Sequence, residues 1–138
     1  MHIKVNWIDK FLLQAETESG RQILMDTKLE AGGDDKGPQP MELLLMSLGG
    51  CTAMDVVLIL RKKKVNLKHF AIEVDGEKAA QHPKYYTKIN LNYIFEGENL
   101  KEEDVRQAIE LSMDKYCSVS AMLKEKAGIS YQWDIRNK

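Results

Sequence analysis

The stretch Met41–Leu60 constrains this chain more than any other part of it. Its only polar side chains are Glu42, Ser47, Thr52 and Asp55. At about 100° per residue these fall at roughly 0°, 140°, 280° and 220° around a helix, so no face is polar. A helix that is apolar all round needs cover on all sides, and one small sheet covers only one. A membrane is one source of that cover, and Arg61-Lys62-Lys63-Lys64 would make a positive flank. Asp55 at mid-span would then cost about 3 kcal/mol, and the flanking strands read as soluble amphipathic sheet. The expectation is therefore no membrane span but an obligate homodimer, in which a second copy supplies the missing cover. The basic run ends a helix, where cations meet the negative end of its dipole.

The rest of the chain supplies the sheet. Ile3, Val5 and Trp7 alternate with polar residues, and Phe11–Glu16 and Arg21–Asp26 follow over short turns. This predicts an antiparallel three-stranded meander. Ala31–Gln39 is loop chemistry, and Pro40 suits the first turn of a helix. Leu67–Gly76 and Tyr85–Phe95 alternate as a hairpin, the second through Tyr85, Thr87, Ile89, Leu91, Tyr93 and Phe95. The acidic run at 102–104 opens a helix carrying Val105, Ala108, Ile109 and Met113. Another helix starts near Cys117-Ser118, and Ile129–Ile135 closes the chain as a strand. The expected order is βββ-α-ββ-αα-β, an α+β chain of one domain over residues 1–138 with antiparallel or mixed sheets.

Composition then narrows the function. The 138 residues carry 20 basic and 21 acidic side chains, a net charge of −1. That leaves no electrostatic footprint for nucleic acid. Met1–Asp9 has no secretory pattern, so the expected location is the cytoplasm, where thiols are kept reduced. His2, His69 and His82 form no ligand-spaced set, so neither a metal nor another cofactor is expected. No phosphate loop or Ser/His/Asp order supports a hydrolase.

Two cysteines remain, Cys51 and Cys117. Cys51 follows Gly49-Gly50 inside the apolar helix. Two mid-helix glycines cost about 1 kcal/mol each relative to alanine, so either something approaches the backbone closely or the helix breaks there. Cys51 then reads as a small buried hydrophobe at a tight crossing or as a reactive thiol. Cys117 stands at a helix start, where the dipole lowers a thiol pKa and suits redox chemistry. Capping by a small residue is the plainer reading. Asp55, one turn after Cys51, would oppose a thiolate and is expected to act as a hydrogen-bonding partner.

Pro40-Met41-Glu42-Leu43-Leu44, Gly49-Gly50-Cys51-Thr52-Ala53-Met54-Asp55-Val56-Val57 and Tyr116-Cys117-Ser118-Val119-Ser120 together resemble the OsmC/Ohr family, and more closely its OsmC-like branch. The resemblance spans nearly the whole chain, including the element order and the cysteine separation. It implies an intertwined homodimer with central helices sandwiched between sheets. It also implies thiol-dependent reduction of organic hydroperoxides, with Cys51 peroxidatic, Cys117 resolving and an external dithiol as reductant.

In the better-characterised members a glutamate directly after the proline orients an arginine against the reactive sulfur. Here Met41 takes that place and Glu42 follows. A straight helix sets Glu42 about 13.5 Å from Cys51 along its axis and on the opposite face. Glu42 therefore reaches that sulfur only if the helix breaks at Gly49-Gly50, or serves the other subunit's site. Arg21, the only arginine before the helix, is the candidate cation and follows a Ser-Gly turn. The departure keeps open a rival reading, a dimeric binding or redox-sensing module for small hydrophobic ligands with no catalysis.

Overall fold

The alternation of apolar residues and the short turns between them give the first 44 residues their structure. The computed structural model describes Met1–Lys138 and divides into two compact units, Met1–Leu44 and Leu45–Lys138. In the first, β1 (Ile3–Asp9), β2 (Leu12–Thr17) and β3 (Gln22–Met25) form the expected antiparallel meander in the order β1-β2-β3. The row Ile3, Val5 and Trp7, whose alternation with polar residues implies a half-buried strand, is exposed. Asp26 anchors the loop that follows. Its carboxylate accepts N–H bonds from Thr27 at 2.7 Å, Asp34 at 3.3 Å and Lys36 at 3.1 Å. Burial pushes that carboxyl up, but these donors, with the Lys36 charge, more than offset it and hold its pKa below the ordinary value.

Helix α1 (Pro40–Lys62) begins in the first unit and runs through the second without a break at Gly49-Gly50. Gly49 answers a close approach instead: a Cβ there would sit 3.2 Å from Val74 Cγ2, whereas one at Gly50 would meet nothing within 4 Å. α1 is long and apolar enough to cross a membrane, with mean hydropathy 2.1 over its most apolar window, of which 22 % is buried. Only the stripe Leu48, Thr52, Val56 and Leu60 is buried in this chain. Met46, Met54 and Leu58 on the other side are exposed. A single chain covers one face of α1 and no more.

The second unit supplies that one cover. β4 (Leu67–Lys78), β5 (Tyr86–Gly97) and β6 (Gly128–Asn137) make a sheet in the order β4-β5-β6, with β4–β5 antiparallel and β5–β6 parallel. β5 is its centre, and Ile89, Leu91, Tyr93 and Phe95 are at most 1 % exposed. Phe70 stacks on Phe95 with centroids 4.7 Å apart. The expected alternation fails at the start of β5. The register shifts between Glu77 and Lys78, so Tyr86 rather than Tyr85 or Thr87 turns inward. An extra residue in one strand resets which side chains face the core, and sequence alternation cannot show it.

The parallel pairing of β5 with β6 requires a crossover, and α2 (Glu102–Leu111), a π turn over Ser112–Tyr116 and α3 (Ser118–Leu123) provide it. Val105, Ala108, Ile109 and then Ser112 are buried along this face, while Met113 is not fully covered. The widened turn carries Met113 off the stripe on which regular helical spacing placed it. The architecture is α+β, in the order anticipated from the sequence.

Candidate thiol site

Cys51 lies on α1 at the margin between its buried stripe and its uncovered face. Around the helix it falls about 100° from Thr52, and its side chain is half-buried. Cys117 is brought to it by the π turn. Its N–H donates to the Ser112 carbonyl five residues back, at 2.7 Å, the bond that defines π geometry. Cys117 is then the N-cap of α3: its Sγ accepts from the Ser120 N–H at 3.4 Å, and the Ser120 hydroxyl donates to its carbonyl at 3.0 Å. Neither cysteine is in a disulfide, and the Cys51 thiol lies near enough to Cys117 to act on its pKa. Residues 66 positions apart in the chain thus meet as a dithiol.

The expected lowering of the Cys117 pKa does not occur. Burial pushes the thiol above its ordinary value, the Ser120 N–H and hydroxyl pull it back in part, and the neighbouring Cys51 thiol raises it further. Cys117 is 3 % exposed, and the six-residue α3 carries too little dipole to outweigh the lost hydration of a thiolate.

Beside the pair runs a buried chain of hydroxyls. Tyr93 Oη lies 2.8 Å from Thr52 Oγ1, Thr52 Oγ1 lies 2.7 Å from Ser112 Oγ, and the Ser112 hydroxyl donates to Asp55 Oδ2 at 2.8 Å. Tyr93, Thr52 and Ser112 are fully buried. Each hydroxyl has one proton. With Ser112 donating to the carboxylate, its oxygen must accept from Thr52, and Thr52 in turn must accept from Tyr93. All protons point toward Asp55. Burial raises the Tyr93 phenol to about 12, so it stays a neutral donor at the closed end of this chain. Asp55 is therefore the hydrogen-bonding partner expected from sequence. Thr52 and Ser112 carried one weak signal, since a hydroxyl amid apolar residues must find a partner when buried; Ser112 itself had no motif around it.

Arg21 and Glu42 both lie in the first unit. Arg21 is exposed at the β2–β3 turn, where its N–H donates to Thr17 Oγ1 at 3.0 Å. The Glu42 carboxylate accepts from the Gln39 N–H at 2.9 Å, the return bond of a capping box. Lys115 sits over the Tyr116 ring, 5.2 Å from its centroid. No three His, Cys, Asp or Glu side chains group as metal ligands. On the open side, Asp55, Leu58, Ile59, Lys62, Leu111 and Tyr116 line a cleft of about 410 Å³.

Known proteins with this pattern are consistent with one another. The profile of the OsmC-like protein family matches residues 33–132. Protein YhfA of Escherichia coli K12 is 38% identical over 135 residues, covering 98% of each chain. A hypothetical protein from Aquifex aeolicus has a solved structure with TM-score 0.87 and 32% identity, covering 99% of this chain and 96% of that one. An organic hydroperoxide resistance protein, OsmC, of Legionella pneumophila shares the fold at TM-score 0.69 and 13% identity, over 96% and 95% of the two chains.

Proposed function

Because the chain belongs to the OsmC-like protein family, we propose that it reduces organic hydroperoxides with its two thiols, as one domain and as a homodimer in the cytoplasm. The observation that carries this reading is the placement of Cys51 and Cys117 beside each other as free thiols, one half-buried and the other buried. A peroxide reaches the first more readily, and only the first makes the second useful. The name of the Legionella relative, which shares the fold, points to the same class of substrate.

The steps balance without a cofactor. The Cys51 thiolate takes the distal oxygen of ROOH, the O–O bond breaks, and the alkoxide leaves as ROH after taking a proton from solvent. Cys51 becomes a sulfenic acid. Cys117 attacks its sulfur, the S–O bond breaks, and hydroxide departs as water with the proton Cys117 gives up. An external dithiol then exchanges through a mixed disulfide and restores both thiols. The raised Cys117 pKa keeps that thiol protonated until the sulfenic acid is beside it, which suits a resolving rather than an attacking cysteine. A second copy laid on Met46, Met54 and Leu58 would complete the cover of α1. Arg21 is the candidate cation for Cys51 and Glu42 the candidate to orient it, acting on the site of the other copy.

Mass spectrometry after one equivalent of cumene hydroperoxide tests the reading. The expected product is an intramolecular Cys51–Cys117 disulfide, and in Cys117→Ser a Cys51 sulfenic acid trapped by dimedone. Absence of both ends the proposal. The cleft beside Asp55, with Leu58, Ile59, Leu111 and Tyr116 in its walls, favours a second reading as a carrier of small hydrophobic ligands. Undiminished binding of an apolar fluorescent probe to the doubly Cys→Ser protein, with no peroxide turnover in the native one, would favour that reading.

A further inference from the structure

The segments that carry the two thiols are tied together through hydroxyls. Thr52 follows Cys51 directly, and Asp55 lies one helical turn beyond it. Both bond to the Ser112 hydroxyl, at 2.7 and 2.8 Å. Ser112 in turn receives the Cys117 N–H on its carbonyl, at 2.7 Å. One residue of the π turn thus holds Thr52 and Asp55, both just C-terminal to Cys51, with its side chain and Cys117 with its backbone. Tyr93, fully buried on the central strand, closes the chain from below at 2.8 Å.

We propose that Thr52 and Ser112 are positioning residues of the thiol pair, a hydroxyl clamp extended by Asp55 and Tyr93 that sets the Cys117 turn at a fixed distance from Cys51. Its purpose rests on the thiol chemistry proposed above; its existence does not. Apolar residues of similar volume would fill this space without desolvating three hydroxyls, and replacing both partners of a buried hydrogen bond is often nearly neutral. What apolar packing lacks is a preferred length and direction. Hydrogen bonds between hydroxyls hold their oxygens within a few tenths of an ångström. Disulfide formation demands such accuracy, because the two Cβ atoms must come to about 3.8 Å. The π turn fits the same purpose: it is the departure from regular helix that aims the Ser112 side chain and the Cys117 N–H at their partners together.

Equilibration of the whole protein with glutathione and glutathione disulfide measures the clamp without peroxide. Each protein disulfide formed consumes one glutathione disulfide and releases two glutathiones, so the equilibrium constant is the effective concentration of Cys51 and Cys117 for each other. Thr52→Val and Ser112→Ala are expected to lower it on the order of tenfold, a rise of about 30 mV in the potential of the pair. Thr52→Ser, which keeps the hydroxyl and loses a methyl group, should stay within about twofold of the native value. A packing role predicts the reverse, with serine at least as damaging as valine. That order, or native constants in Thr52→Val and Ser112→Ala, overturns the clamp. Should Thr52→Val not fold, Ser112→Ala against Thr52→Ser decides the question alone. A shifted glutathione equilibrium with no oxidation of Cys51 by hydroperoxide would leave the clamp standing and remove the peroxidase reading.

Discussion

The direction of the hydroxyl chain makes an asymmetric prediction about its two ends. In Tyr93→Phe the ring stays in its stack with Phe95 and only the terminal donor is lost. Thr52 forfeits one acceptor contact, and its own proton still reaches Ser112. The expected cost is about 1 kcal/mol, that of one neutral hydrogen bond. Ser112→Ala removes the middle of the chain. The Thr52 proton loses its acceptor in a fully buried setting, and Asp55 loses a donor to its carboxylate. A hydrogen bond to a charged group contributes about 1.5–3 kcal/mol, and the low end applies because Asp55 keeps some access to solvent. The expected cost is therefore about 2–3 kcal/mol, at least twice that of Tyr93→Phe. Urea unfolding at one fixed protein concentration measures both, with comparison valid where the m-values agree. If Tyr93→Phe costs as much as Ser112→Ala, the protons do not run toward Asp55 and the chain has been read in the wrong direction.

Other outcomes follow from single features. The Asp26 carboxyl is held below its ordinary value of 3.8 by three backbone donors, so its contribution is fully present above that pH and is lost as pH falls through the lower, folded value. Asp26→Asn should flatten the acid limb of a stability–pH curve while leaving its slope near neutrality unchanged; an unaltered acid limb would contradict the assignment. Cys117, pushed above its ordinary value near 9.0, should react with iodoacetamide more slowly than a free cysteine at pH 8 and go on accelerating at pH values where a free cysteine has levelled off, read peptide by peptide in the mass spectrometer. Equal rates would refute the burial argument. Gly97→Ala drives a Cβ into the Asn66 carbonyl, a backbone atom that cannot swing away. It should cost more than about 2 kcal/mol in the same urea assay, and a neutral result would mean that the β4–β5 edge is looser than described.

How far the sequence alone carried this picture depends on whether a feature is periodic. The all-apolar α1, the meander and the βββ-α-ββ-αα-β order were readable because burial imposes a repeat on the residues that satisfy it. Cys51 and Cys117 stood out through their settings, one after Gly49-Gly50 and the other at a helix start. The bulge at Thr87, beside Tyr86, and the π turn at Ser112 were not readable, since each is a one-residue departure that local composition does not mark. The hydroxyl chain was hidden for another reason. Thr52 and Asp55 were visible as polar interruptions of an apolar helix, but their partners Tyr93 and Ser112 lie 41 and 57 positions away along the chain. The Cys117 pKa failed in sign because a helix terminus is legible in sequence and the depth of its burial is not.

The proposed homodimer bears most directly on the thiols, and Met54 tests it. α1 is divided about its axis: Leu48, Thr52, Val56 and Leu60 face their own sheet, while Met54, 76% exposed, lies about 160° around from Thr52. Cys51 sits between these sectors. A second copy laid over Met54 would therefore also wall one side of Cys51. An aspartate at Met54 would place a charge in a second copy's interface, at a cost of several kcal/mol if buried without a partner, but changes nothing in contact with the buried stripe. Native protein should run at twice the 15.8 kDa chain mass in light scattering, and Met54→Asp at the single mass with its secondary structure retained. Loss of the dimer should then slow hydroperoxide reduction while the glutathione equilibrium of Cys51 and Cys117 stays within a few-fold of native. The clamp between them lies wholly within one chain, and the missing wall does not. A monomeric native protein, or a dimer unaffected by Met54→Asp, would show that α1 finds its cover elsewhere.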